Sequence, residues 1–167
     1  KKHKQVHLLV NKKQTTPFAL NLGIKSSKSV IKIILSAHAM VDTNFIKENV
    51  AILEKDSSIG CAGGIINNVY ENKISEIIGR AMSSPFGVGN AHFRTGGKEG
   101  LVDTVAFGAY RKEVFESIGY FDEELVRNQD DEFNYRLLKN NFKIYLSKKI
   151  ISSYFVRASF KKLFKQY

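Results

Sequence analysis

Tryptophan is absent from the 167 residues, cysteine occurs once and proline twice. A lone cysteine excludes an internal disulfide, and the small, apolar surroundings of Cys61 in IGCAGGII predict a buried thiol in a reducing compartment. No stretch reaches the roughly 18 consecutive apolar residues of a spanning helix, and the N-terminus has no charged, apolar and small-residue succession of a secretory signal. The chain reads as soluble. Acids are also missing from both ends: residues 1–41 carry eight lysines and 133–167 nine basic residues, whereas all sixteen acids fall within 42–132. The net charge of +10 thus sits on the flanks, where it attracts anions without identifying their carrier: nucleic acid, a membrane surface or a phosphorylated small molecule. No RNA-binding motif or aromatic stacking platform accompanies it, so nucleic acid is not the expected partner.

What the chain does have is 43% hydrophobic residues, enough for one domain with a sizeable core. QVHLLVN (5–11) has the composition of a short strand, and Thr16 with Pro17 after it marks a helix start. VIKIIL (30–35) is a buried strand, and Asp42 caps a helix to about Glu54 with Phe45, Ile46, Val50 and Leu53 inward. IGCAGGIINNVY (59–70) is the next strand, its paired glycines marking a bend or a close backbone approach. From Pro85 to Gly100 the periodicity stops, predicting a surface loop; LVDTVAFGAY then returns as a strand and RKEVFESIG as a helix ended by Gly119. A clear helix follows in NQDDEFNYRLLKNN, then one or two strands within FKIYLSKKIISSYFV. Strands alternating with helices predict an α/β fold with a mostly parallel sheet flanked by helices. Residues 1–155 form this domain, and 156–167 begin a basic amphipathic helix suited to a membrane surface.

The densest cluster of chemistry is ELVRNQDDEFNYRLLK (124–139). Asn128 is placed to cap the helix with Asp131 reaching back, and first-turn carboxylates complement the helix dipole. Capping alone would explain those acids. Helical spacing, however, sets Asp130 on the face of Phe133 and Leu137, pointing toward the body of the domain, while Glu132 and Arg136 pair on the flank. A carboxylate at a helix start beside a cleft is suited to taking a proton from a hydroxyl.

Taken together, ALNLGI, IILSAHA, FGVGNAHFR, the block 103–137 and SFKKLFKQY resemble the family 2 glycosyltransferases of the succinoglycan type, which assemble exopolysaccharide. The resemblance implies a GT-A nucleotide-binding α/β fold and an inverting transfer of a sugar from a nucleotide diphosphate, UDP-linked, to a hydroxyl on a lipid-linked or polysaccharide acceptor. It makes Asp130 the general base, with Gln129 where many members carry Glu and with Glu132 and Arg136 completing the motif; Asp131 and Arg136 are counted with the donor-binding residues. It also assigns Ser36-Ala37-His38 to the metal and diphosphate site, where His38 would hold Mg²⁺ or Mn²⁺ and Ser36 stands in place of an acid; a serine hydroxyl is a neutral and weaker ligand. Asp103 and Gly108 are assigned to the sugars, and Gly87, Gly89 and Arg94 to closing the site. Work at the cytoplasmic face of a membrane is a further expectation.

Against the family pattern, the first strand-helix-strand unit, which holds the nucleoside, is not recognisable before KKHKQVHLLVN. An N-terminally truncated domain is therefore expected, with an uncovered sheet edge open to self-association. The competing reading is a non-catalytic remnant or interaction module of the same fold.

Overall fold

A computed structural model of the chain describes residues 4–37, 39–89, 91–96, 98–125 and 127–164. Residues 5–11, expected as a strand, are irregular, and Val6, Leu8 and Val10 are exposed. Such residues favour a strand only where a neighbour completes the ladder. Instead Asn11 turns the chain: its Nδ2 donates to the Thr15 carbonyl at 2.9 Å and its Oδ1 accepts from the Gln14 amide at 3.0 Å. Helix α1 (Thr16–Ser26) starts here, with Thr15 rather than Thr16 at its N-cap and Pro17 in the first turn.

Six strands form one sheet: β1 (Ile31–Ile33), β2 (Ala39–Val41), β3 (Ile59–Val69), β4 (Gly100–Val102), β5 (Ala106–Arg111) and β6 (Lys143–Phe155). Their order is β1-β5-β3-β6-β2, with β4 also on β6. The α/β class and the helix-flanked sheet are as expected, but the pairing is not mostly parallel. Among the described residues only β3 and β6 pair in parallel, and the other four pairings are antiparallel. Parallel neighbours need a crossover of about a dozen residues. Here β5 lies between β1 and β3 against the direction of both, and β2, at the other end of the order, runs antiparallel to β6.

The strand expected over 101–110 is split. Its first part, β4, pairs with Ile144–Leu146 of β6; its second, β5, pairs with Cys61–Gly64 of β3. Residues 103–105 lie between the two ladders. The paired glycines of β3 mark close backbone approach, as expected: a Cβ on Gly64 would lie 1.8 Å from the Ile150 carbonyl oxygen, at the point where the β3–β6 register shifts.

Helices cover both faces. Ile24 of α1, Val114 and Phe115 of α6 (Lys112–Ile118), and Phe133 and Leu137 of α7 (Gln129–Lys139) bury against Cys61, Tyr110, Ile144 and Leu146. On the opposite face Leu53 of α2 (Phe45–Lys55) packs with Ile59, Ala62 and Ala109. The buried stripe of α2 is Phe45, Asn49 and Leu53; Val50 is half-buried and Ile46, expected inward, is exposed. Asp42 accepts from the Asn44 amide at 2.9 Å, so it supports the helix start one turn before the N-cap, Asn44.

An additional helix, α3 (Lys73–Ala81), starts at an Asn72–Ser75 capping box and buries Ile78 against Ile66, Tyr154 and Val156. The expected loop 85–100 contains two single-turn helices, α4 (Pro85–Val88) and α5 (His92–Thr95). The basic C-terminal segment starts a helix, α8 (Phe160–Phe164), of which Leu163 touches the core and Phe160 and Phe164 are exposed. Residues 165–167, expected to continue this helix, lie outside the described residues.

Candidate functional site

A cavity of about 870 Å³ opens where β1, the break between β4 and β5, and the first turn of α7 meet. Ser36 lines it from beyond the end of β1, Asp103 and Thr104 from the break, Gly108 from β5, and Gln129, Asp130 and Asp131 from α7. Segments nearly 100 residues apart thus share one chamber. Ala37 is not on its wall, and His38 lies outside the described residues.

The turn carrying the acids is built by the backbone. Asn128 takes a left-handed conformation (φ 58°, ψ 21°) that Asn tolerates better than most residues, and its carbonyl accepts the first helical bond from the Glu132 amide at 3.1 Å. Its side chain makes no cap bond, unlike the expectation. Asp131 is exposed overall, yet its carboxyl is partly desolvated at the wall. That desolvation, and then the charge of Asp130, raise its pKa above the usual aspartate value.

Arg136 is not brought to the cavity. It chelates Glu132, with Nη2 to Oε2 at 2.8 Å and Nε to Oε1, and donates to the carbonyls of Ile118 and, at 2.8 Å, Tyr120. Its guanidinium also lies over the Phe133 ring, 5.2 Å from the centroid. These bonds fasten α7 to the end of α6, a span-holding arrangement in which no guanidinium nitrogen faces the chamber.

Two asparagines that the sequence reading overlooks position the site. Asn134, one turn after Asp130 and Asp131, is buried; its Nδ2 donates to Thr104 Oγ1 at 3.1 Å and its Oδ1 accepts from the Tyr110 hydroxyl at 3.5 Å. The broken strand and the carboxylate turn are therefore tied through one side chain. Burial, followed by Cys61 and by the charge of Asp130, pushes the Tyr110 hydroxyl well above its ordinary pKa, so it stays a donor. Burial likewise raises the Cys61 thiol, as expected of an inert buried residue. Asn21 of α1 grips the loop before α7 at both ends of one residue, Nδ2 to the Phe121 carbonyl at 2.8 Å and Oδ1 from the Phe121 amide at 3.0 Å. Its signal in the sequence was a polar residue on the buried stripe of an amphipathic helix.

Packing alone accounts for Gly108, since a Cβ there would meet Cys61 Sγ at 2.8 Å and the Tyr110 ring at 2.9 Å. Beside it Phe107, also on the cavity wall, holds φ at +50°, a left-handed conformation that costs a bulky residue about 1–2 kcal/mol.

The metal expectation is tested by the donor set. Among the described residues no three His, Cys, Asp or Glu side chains gather as a cation site, and the cavity wall at Ser36 offers a neutral hydroxyl. Asp103, Asp130 and Asp131 share the cavity without forming such a group. The described residues therefore do not by themselves fit a divalent ion.

Comparison with known proteins bears on what this chamber is. The chain is 36% identical over 174 aligned positions, covering 99% of itself, to the dolichyl N-acetyl-α-D-glucosaminyl phosphate 3-β-D-2,3-diacetamido-2,3-dideoxy-β-D-glucuronosyltransferase of Methanococcus voltae. Over nearly its whole length the chain is thus similar to a glycosyltransferase, and its fold is of the GT-A type. Succinoglycan biosynthesis protein ExoA of Rhizobium meliloti is 33% identical over 52% of the chain. The chain spans 54% of the first relative's length and 26% of the second's. Among solved structures, GalNAc-T7 with UDP, GalNAc and Mn²⁺ superposes with a TM-score of 0.58 and 17% identity, over 82% of this chain and 30% of that one. Residues 1–349 of S. aureus TarS superpose with a TM-score of 0.54 and 14% identity, over 81% of this chain and 38% of the other. These two likenesses carry the fold only. No family model matches the chain.

Proposed function

We propose that the chain acts within an inverting glycosyltransferase of polysaccharide or glycoconjugate synthesis, with Asp130 as the general base. The observation that supports it is the shared chamber: the Asp130 carboxylate, Asp103 and Ser36 line one cavity although they come from three distant segments. In this reading Asp130 removes the proton from an acceptor hydroxyl as its oxygen attacks the anomeric carbon of a UDP-linked sugar. The bond to the diphosphate breaks on the opposite face, the electron pair leaves with the diphosphate, and configuration inverts. Gln129 and Asp103 orient sugar hydroxyls by hydrogen bonds, and Asp131 fixes the charge of the turn. Ser36 offers the diphosphate a neutral hydroxyl from the cavity wall. The acceptor is read as lipid-linked, because the Methanococcus voltae relative is named for a dolichyl phosphate-linked sugar.

Asp130→Asn tests this. Transfer from the UDP-sugar should fall about 10²- to 10⁴-fold while UDP affinity stays within a few-fold. A variant with transfer within threefold of the wild type removes Asp130 from the base role. The alternative, a non-catalytic module of this fold, draws on the neutral Ser36 hydroxyl; absence of any UDP-induced change in Tm at millimolar ligand supports it.

A further inference from the structure

One charged group on the cavity wall has no task in that scheme. Arg94, in α5, lies against two rings, its guanidinium carbon 5.4 Å from the centroid of Tyr154 and 5.5 Å from that of Phe93. Its Nη1 is buried and has no hydrogen-bond partner, and no carboxylate reaches it as an ion pair among the described residues. The three acids on the same cavity leave it unneutralised. A buried guanidinium nitrogen without an acceptor is unfavourable, and an entering anion would relieve it.

Its position narrows the choice of anion. Tyr154, which carries the stacked guanidinium, stands opposite Ala39 in the β2–β6 ladder. Arg94 therefore lies against the β2–β6 strand pair, and Ser36, which brings no charge, lines the same cavity. Arginine presents a rigid fork of donors that matches phosphate oxygens, and its aromatic stacking holds that fork in place.

We propose that Arg94 is a phosphate receiver in this cavity, supplying positive charge beside the Ser36 turn. The subsite itself stands on the orphaned Nη1 and the cavity; only the identity of its ligand as a glycosyl-donor diphosphate or a lipid-linked acceptor phosphate rests on the transferase reading. Both sources present the same chemistry, a phosphate oxygen to a guanidinium.

The test is titration calorimetry of the whole chain with inorganic pyrophosphate, UDP and farnesyl phosphate, in EDTA, for the wild type, Arg94→Lys and Arg94→Met. Met keeps the stem against Tyr154, and Arg94→Gln takes its place should Arg94→Met not fold. Pyrophosphate should bind roughly 10- to 100-fold more weakly to Arg94→Met, with partial recovery in Arg94→Lys and a shallower salt dependence in the Met variant. A parallel loss for UDP assigns the donor diphosphate; a loss confined to farnesyl phosphate assigns the acceptor. Equal affinity of Arg94→Met and the wild type for all three ligands overturns the subsite, and so does failure of the wild type to bind any of them. UDP binding by the wild type, with none of the three ligands weakened in Arg94→Met, ends the inference but leaves the transferase reading standing. Pyrophosphate binding through Arg94 without UDP binding keeps the subsite and ends the nucleotide-donor reading.

Discussion

Asp131 stands at the cavity wall next to a second acid, Asp130, and that setting has a thermodynamic sign. Folding partly desolvates Asp131 and sets it beside the charge of Asp130, which raises its pKa. Above that raised value the folded state bears a charge it disfavours; below the unfolded value of about 3.8 the proton is bound in both states and the penalty is gone. Asp131→Asn should therefore raise Tm at pH 7, and the gain over the wild type should shrink as the pH falls through the raised pKa toward 4. Differential scanning calorimetry from pH 4 to 8 checks it; a gain that grows on acidification contradicts the assignment. At this scale the sequence pointed to Asp130 through its share of a helix face with Phe133 and Leu137. It also gave the Glu132–Arg136 pair, which forms, but not the clamp on α6, because an i,i+4 partner is visible in a sequence and the carbonyls of Ile118 and Tyr120 are not.

Helix α7 carries the acids, and what holds it is the Arg136 clamp on the end of α6. Arg136→Ala leaves two carbonyls and Glu132 without their donor and should lower stability by about 2 kcal/mol, a Tm fall of roughly 4–8 °C. Lysine should restore only part of this, since it lacks the fork. Urea denaturation measures both, and a transition midpoint unchanged in Arg136→Ala refutes the structural role. The helices α6 and α7 were legible because their signals are local: Gly119 at φ 83° ends one, and apolar spacing defines the other. The split of 100–111 into β4 and β5 was not legible, because it follows from a change of partner between β6 and β3, strands that lie far away in the chain. For the same reason 5–11 looked like a strand: composition states a preference, and only a neighbour satisfies it.

Across the whole molecule the basic flanks and the acidic middle are kept apart in sequence, and the last described helix adds exposed Phe160 and Phe164 to Lys161 and Lys162. Among the described residues no helix is long and apolar enough to cross a membrane. The combination suits a surface contact in which rings enter the interface and lysines meet anionic headgroups. The chain should co-sediment with vesicles containing phosphatidylglycerol at low salt and leave them at 0.5 M salt, while Phe160→Ser with Phe164→Ser should weaken binding several-fold. Equal binding to purely zwitterionic vesicles would refute the electrostatic part.

The interrupted strand has an effect on what this scaffold tolerates. Asp103 and Thr104 belong to no rung of either ladder, so exchanging them leaves every inter-strand bond intact. Exchange of Asp103 therefore reshapes the wall and leaves the frame alone, whereas exchange of Thr104 also removes the hydroxyl that Asn134 holds.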